Sequence, residues 1–572
     1  MPVSTENFDK TSFQFAEYFP GYIRPYFYTL WAKLKDGHIC VQKEEVTSAD
    51  WSALFPDYTP ADDLSEFISE NDTHTPIIES AGNLYLQRYF KYETTIIRKI
   101  HSLINTEVNP VLSSDTIRLY NALYPSDKET DWQAVATAAA LLQSFCIITG
   151  GPGTGKTRTV SNILALLLTE NPDLKIALAA PTGKAAARMT ESIKNNAAHY
   201  PEKIRQTFDS LSPSTIHRLL IPIKDSIYFK HQKANPLPYD VIIIDESSMI
   251  DVALFAKLLD AIPESSRLIL LGDKNQLASV EAGSLFGDLC SLPETLNQFS
   301  KRFIGKVSAL YNRPLPSLNE PVPLSDHIVE LQKSYRFDDN RGIGKLSRIV
   351  INEDVKGFDT FMSEKDDIVT IDFTYDAHLF HQLIDKFELF IREPDIPTAI
   401  KLLNKCRVLC ATRFGRFGLY QTNKRIEAYL EKKGLIRCNR LYYDNRPIII
   451  TQNNYELKVY NGDTGIIRTN SEGIKKAFVE TESGIAEINP VLLNYADTSF
   501  AITIHKSQGS EFDDIAVLLP EHDAPILTKE LVYTAITRAK NRVLLQSAAQ
   551  VFKEAMQRRV QRGSGLHNRF DS

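Results

Sequence analysis

Residues 145–168 read "FCIITGGPGTGKTRTVSNILALLL". A short run of apolar β-formers ends in glycines and passes at once into a segment with helical apolar spacing. This order restricts the fold severely: the strand must lie inside a parallel sheet, with the helix returning over one face. At the junction, Gly150, Gly151, Pro152, Gly153, Thr154 and Gly155 let backbone N–H groups converge, and the helix adds the positive end of its dipole. That combination holds phosphate. Lys156 is placed to neutralise the β and γ phosphates of a nucleotide, and the Thr157 hydroxyl to ligate Mg²⁺.

Further apolar runs have the same texture. "IALA" (176–179), "VIIID" (241–245) and "LILLGD" (268–273) read as companions in that sheet, and "RVLCA" (407–411), "IAVLL" (515–519) and "RVLLQ" (542–546) as a second series. The expectation is an α/β protein of two similar units, 116–325 and 326–572, with the junction in the Pro-rich "YNRPLPSLNEPVP". A chain of 572 residues is too long for one ordinary core, so several domains are expected. Within the second unit, "LYYDNRPIIITQNNYELKVYNGDTGIIRT" is rich in β-formers and turn residues, which predicts a small inserted β-barrel over about 436–498. "IPIKDSIYFKHQKANPLP" (221–238) is a shorter candidate, a β-hairpin.

Residues 1–115 differ. "FQFAEYFPGYIRPYFYTLWAKL" concentrates aromatics and predicts a small, mainly helical domain. Those rings either form its own core or in part dock a partner subunit.

Composition sets limits. Net charge is −6, so any surface for nucleic acid must be a local basic patch. The six cysteines, at 40, 146, 290, 406, 410 and 438, form no C-x-x-C pair and read as reduced core thiols of a cytoplasmic protein, with metal binding the alternative. "MPVSTENFDK" has no basic-then-apolar signal. The apolar stretch 134–151, broken by Gln143 and Ser144, reads as a helix and a buried strand rather than a membrane span.

Two segments complete a nucleotide site on the first unit. In "VIIIDESS" the strand ends at Asp245, a carboxylate for the metal, and Glu246 follows to orient and deprotonate a water. In "LLGDKNQL", Asp273 and Gln276 end the next strand, where an amide can bond the γ-phosphate or that water.

One nucleotide site does not separate a motor from a switch or a kinase. The motifs "GGPGTGKT", "APTGKAAARMTES", "STIHRLL", "IDESSMID", "LGDKNQLASVEAGSLFGD", "LQKSYRF", "HKSQGSEFD" and "ELVYTAITRAK" occur in this order through residue 540. Together they resemble the superfamily-one helicases, and within them the RecD family, alpha subunits of bacterial RecBCD (exodeoxyribonuclease V) complexes.

The resemblance implies two RecA-like lobes with ATP between them. It also implies 5′→3′ helicase activity on DNA ends, for repair and for degradation of linear DNA, in a heterotrimer with RecB-like and RecC-like subunits. Arg336 and Arg538, from the second lobe, would act as arginine fingers; each could instead be a surface ion-pair partner. Gln133 falls where these helicases place an adenine-reading glutamine, with a solvent-facing helix residue as the alternative.

The DNA track would use Thr182, Gly183, Lys184, Arg188, Thr215 and His217 on the first lobe. On the second it would use Thr503, His505, Lys506 and Ser507, with Gln508 and Glu511 coupling track to ATP site. His217 and His505 could alternatively be buried structural histidines. By the same similarity, the 221–238 hairpin would be the duplex-splitting wedge and the inserted barrel would line the strand exit. No acidic cluster with lysine marks a nuclease centre. In "RFGRFGLYQTNKRIE", Thr422 stands where the family usually has Leu, which puts the contacts of Asn423 in question. The alternatives are a stand-alone RecD-like helicase, against which the short 1–115 region argues because those helicases carry a larger amino-terminal extension, and a non-motor subunit, for which hydrolytic residues are unnecessary.

Overall fold

The computed structural model describes residues 9–570, apart from 71–73, 107–111, 126–128, 321, 365, 455 and 482–483. The amino-terminal residues read for a targeting signal therefore lie largely outside the described ones.

The apolar runs become central strands because both faces are covered. The first sheet has six strands in the order Ile328–Leu331, Phe145–Gly150, Arg267–Gly272, Val241–Ile244, Ile176–Ala180, Ser214–Thr215. All of its pairings are parallel. Alternate side chains enter opposite cores, Cys146 and Ile148 one, Phe145 and Ile147 the other. The helix Trp132–Leu142, buried from Gln133 onward, lies in the first of these cores. The second sheet is parallel in the order Val369–Asp372, Ala539–Gln546, Phe512–Leu518, Cys406–Cys410, Ala501–Thr503. Cys406 and Cys410 share one face and Leu409 takes the other.

The first sheet runs past the expected boundary at 325. Ile328–Leu331 pairs with the phosphate-loop strand, Leu331 opposite Gly150. An edge strand of four residues that includes Glu330 carries too little apolar pattern to be read from sequence. It delivers the chain directly to the phosphate loop, where Tyr335 N–H donates to the Gly153 carbonyl at 2.8 Å.

The insertion is an antiparallel sheet ordered Gly484–Ile488, Lys475–Thr481, Thr464–Thr469, Arg446–Ile450, Ala496–Thr498. Its order leaves Gly484–Ile488 and Ala496–Thr498 as the edges, so among the described residues it is an open sheet. Residues 221–238 double back through bridges at Pro222–Phe229 and Gln232–Asn235, without regular strands. They expose Ile221, Ile223, Ile227 and Tyr228.

The amino-terminal region has the expected helices, Lys10–Ala16, Arg24–Lys35 and Gln87–Asn105, and its rings pack on one another. Phe19 stacks on Phe27 at 3.5 Å and Phe15 on Trp31 at 4.3 Å. It also contains a four-stranded sheet that the sequence did not signal, because its strands are only three or four residues long. Nor is the region self-contained. Ile96, Ile100 and Leu103, one stripe of the helix Gln87–Asn105, are buried in the first lobe's core.

The C-terminal segment ties the parts together. Arg559 pairs with Glu353 of the second lobe, Arg562 donates to the carbonyls of Ser279, Glu281 and Gly283 on the first, and Arg569 pairs with buried Glu93 of the amino-terminal helix. Five of the six cysteines are buried and Cys438 is half-buried. Among the described residues, no helix is long and apolar enough to cross a membrane.

Candidate active site between the two lobes

The loop after Phe145–Gly150 turns tightly because Gly153 (φ +81°) and Gly155 (φ +86°) adopt left-handed backbone that a side chain disfavours. Space is as limiting as φ: a Cβ on Gly155 would run into the Gln133 amide, and one on Gly153 into Arg336. Lys156 begins the helix Lys156–Glu170, and its ammonium donates to the Gly150 carbonyl at 2.6 Å. Gln133 is buried and donates to the Thr154 carbonyl at 2.8 Å, so its side chain supports the loop rather than facing solvent.

A cavity of about 530 Å³ opens over this loop, within the range of small-molecule sites. The first lobe lines it with Lys156, Thr157, Asp245, Glu246 and Gln276; Arg336, Glu511, Arg538 and Lys540 face them. Asp245 and Glu246 follow the buried strand Val241–Ile244. Glu246 is held at φ +51°, a left-handed conformation costing a non-glycine residue about 1–3 kcal/mol. Burial and the neighbouring Glu246 charge raise Asp245 to about 6, against the opposing pull of Lys156. A hydroxyl and a half-buried carboxylate on one wall are hard oxygen donors, the kind Mg²⁺ accepts, so the residues present fit that ion.

Glu511 organises the facing wall. Its carboxylate meets Arg188 at 2.6 Å and Arg336 at 2.8 Å, with Lys540 at 3.7 Å. Burial opposes ionisation, but the charges of Arg188 and Arg336 outweigh it and hold the carboxyl at about 2. Arg538 is buried, donating to the carbonyls of Thr534 and Ser510, both at 3.2 Å. Burial lowers its pKa, partly offset by the charges of Glu246 across the cavity and of Glu511.

Two expectations need correction. Arg336 belongs to the connector that leaves the first sheet's edge strand, not to the body of the second lobe. Arg188, expected on the DNA track, lies in the cleft on Glu511, because its position on the helix Gly183–Ala197 turns it inward from the strand end.

Buried hydrogen bonds cross between the lobes. Asp273 accepts from Gln276 at 2.9 Å and from the Tyr533 hydroxyl of the second lobe at 3.0 Å. Leu277 N–H donates to Thr534 Oγ1 at 2.9 Å, and Gln508 donates to the Leu277 carbonyl at 2.7 Å. Sequence reasoning singled out Gln508 but not Tyr533 or Thr534, although both lie inside "ELVYTAITRAK". Arg562, which grips the loop after Gln276, lies outside every motif.

The remaining track candidates gather at the strand ends. Thr182 and Thr215 cap the helices Gly183–Ala197 and Ile216–Leu220, accepting from Ala185 N–H and Arg218 N–H, both at 3.2 Å, and their strands are neighbours in register Ala180–Thr215. Gly183 opens the first of those helices. Lys184 is half-buried over the Phe512 ring at 5.8 Å, and burial pushes it down to about 8. His217 is exposed, its ring 5.7 Å from Phe229, while His505 and Lys506 are half-buried. Thr503 Oγ1 accepts from Lys506 N–H at 3.3 Å. Ser507 departs from expectation: it is fully buried, and its hydroxyl donates to the Ile504 carbonyl at 2.6 Å, closing a local turn. Asn423, in question beside buried Thr422, bonds both ways with Ala501, Nδ2 to its carbonyl at 3.1 Å and Oδ1 from its N–H at 2.9 Å.

The AAA domain family matches residues 132–282, and the UvrD-like helicase C-terminal domain family residues 498–546. The chain is 34% identical to the RecBCD enzyme subunit RecD of Mycobacterium tuberculosis (strain CDC 1551 / Oshkosh), over 94% of this chain and 89% of that one. It is also 34% identical to the RecBCD enzyme subunit RecD of Haemophilus influenzae, over 86% and 80%. It is 26% identical to the ATP-dependent RecD2 DNA helicase of Deinococcus radiodurans, over 88% of this chain and 61% of that one. With such identity over nearly the whole of both proteins, the chain belongs to the RecD family of RecBCD enzyme subunits.

Proposed function

We propose that the chain is the ATP-driven DNA helicase subunit of a RecBCD-type helicase-nuclease, translocating 5′→3′ and opening double-strand DNA ends. The observation that carries this reading is the composition of the cleft. Phosphate-binding and hydrolytic side chains (Lys156, Asp245, Glu246, Gln276) face cations and a carboxylate (Arg336, Arg538, Glu511) brought by the connector and the other lobe.

In this mechanism the loop amides and Lys156 bind the triphosphate. Thr157 and Asp245 would hold Mg²⁺, which supplies charge neutralisation to the phosphates when bound. Glu246 orients the attacking water and takes its proton, and Gln276 bonds the water or the γ-phosphate. Arg538 and Arg336 stabilise charge on the transferring phosphoryl group. An anionic γ-phosphate competes with Glu511 for Arg336, so nucleotide charge is felt directly at the lobe interface. The bonds from Asp273 and Leu277 to Tyr533, Thr534 and Gln508 transmit the change toward the helix ends at Thr182, Thr215 and Thr503, where hydroxyls and backbone N–H groups grip a strand without reading bases.

The 221–238 turn, with its exposed apolar tip, is the proposed wedge, the inserted sheet lines the strand exit, and the amino-terminal region docks RecB- and RecC-like subunits. Strand displacement tests the reading. A duplex with a 5′ single-stranded tail is unwound with ATP and one with a 3′ tail is not; the opposite preference refutes the polarity, and displacement of neither refutes the motor.

A further inference from the structure

The second lobe presents an aromatic pair that the ATP cleft does not use. Phe414 is 78% exposed and Tyr420 44% exposed, with ring centroids 5.4 Å apart. We propose that these two rings form a stacking platform for a base of unpaired DNA, with Arg413 contacting the adjoining phosphate. The proposal rests on the helicase reading above and adds a subsite to it.

The loop bearing Phe414 is built to a fixed shape. Thr412 Oγ1 donates to the Phe414 carbonyl at 3.0 Å, Leu419 N–H to the Thr412 carbonyl at 2.9 Å, and Gly418 N–H to the Gly415 carbonyl at 3.1 Å. Phe417 anchors the loop from below, buried and stacked on Tyr375 at 3.9 Å. One phenylalanine of "RFGRFG" therefore holds the loop while the other stays exposed. Leaving a large ring in water costs the burial that Phe417 obtains, and single-strand binders display such rings because every base has a π-face to stack on them.

Position favours DNA as the occupant. The loop leaves the strand Cys406–Cys410, whose last residue pairs with Thr503, and Ile504 N–H donates to the Cys410 carbonyl at 3.0 Å. The loop thus leaves the same end of the sheet as His505 and Lys506. Arg413 lies close enough that its charge adds to burial in lowering both of them. Among the described residues no carboxylate pairs with Arg413, whereas Arg416 is paired with Glu521 at 2.9 Å. Exposed Lys424 stands one helical turn beyond Tyr420. Adjoining rings and unpaired cations at the end of a strand track complement a base and its phosphate.

The test is fluorescence anisotropy of the full chain with an oligo-dT of about 16 nucleotides, and with the same strand carrying abasic sites. The double variant Phe414→Ala, Tyr420→Ala binds oligo-dT about tenfold more weakly, with an unchanged salt slope. On the abasic strand it binds like the wild type. Phe414→Trp retains affinity, and Arg413→Ala lowers the salt slope by about 0.7. Unchanged oligo-dT affinity in the double variant, or an equal loss on the abasic strand, overturns the platform alone. Failure of the wild type to bind either strand overturns the helicase reading and the platform with it.

Discussion

Strands Phe145–Gly150 and Cys406–Cys410 invite comparison. Each is buried along its whole length between parallel neighbours, and each runs through a glycine-containing loop into a long helix. The first loop, "GPGTGKT", brings backbone amides and a lysine to one point. The second, "ATRFGRFG", has no such lysine and offers Arg413, Phe414 and Arg416 instead. The scaffold is the same, but one loop suits a compact polyanion and the other an extended strand with exposed bases. Duplication of an α/β unit does not duplicate its chemistry, because the strand only positions the loop and the loop's residues select the ligand.

The comparison can be broken most forcibly at Lys156. Lys156→Gln is expected to reduce DNA-stimulated ATP hydrolysis by at least about 10²-fold with little change in thermal unfolding, measured by steady-state turnover and calorimetry. Normal turnover would remove the first loop from the chemistry. The matching change in the second loop, Arg413→Gln, is expected to weaken DNA binding while leaving hydrolysis at saturating DNA intact.

A smaller effect concerns the carboxylate between the lobes. The folded pKa of Glu511, about 2, lies below the ordinary 4.5. Its stabilisation is therefore present above about 4.5 and lost as pH falls toward 2. The gap in unfolding temperature between wild type and Glu511→Gln should narrow across that window; a constant gap would mean the ion pairs with Arg188 and Arg336 do not hold the lobes. The smallest effect is expected from Tyr533→Phe, which removes one hydrogen bond to Asp273, about 1 kcal/mol. That corresponds to roughly a fivefold lower kcat at saturating DNA; an unchanged kcat would show that this bond does not couple the lobes.

Much of this was legible in the sequence wherever local pattern decides structure. The central strands are apolar on both faces, and Gly150, Asp245 and Asp273, at the ends of three of them, are the residues whose types suggest phosphate chemistry. The edge strands Ser214–Thr215 and Ile328–Leu331 were not legible, since two and four residues are too few to show a distinctive period. Helix rotation was not legible either: Arg188 and Lys184 follow the same strand end, yet one enters the ATP cleft and the other lies beside Phe512. Ser507 shows the limit of motif reading, because a hydroxyl within "HKSQGSEFD" can serve its own turn as readily as a ligand. Least legible were contacts made by long return, such as Arg562 on the carbonyls of Ser279, Glu281 and Gly283, which no local signal encodes.

The central claim is that one ATP site is shared between two lobes. It is tested most directly by the single-turnover rate of ATP hydrolysis in Arg538→Ala at saturating DNA, alongside its nucleotide affinity. A fall of about 10³-fold with affinity nearly unchanged is the predicted result. Hydrolysis at the wild-type rate would contradict the claim, since the phosphate-loop lobe would then complete the chemistry without the arginine of its partner.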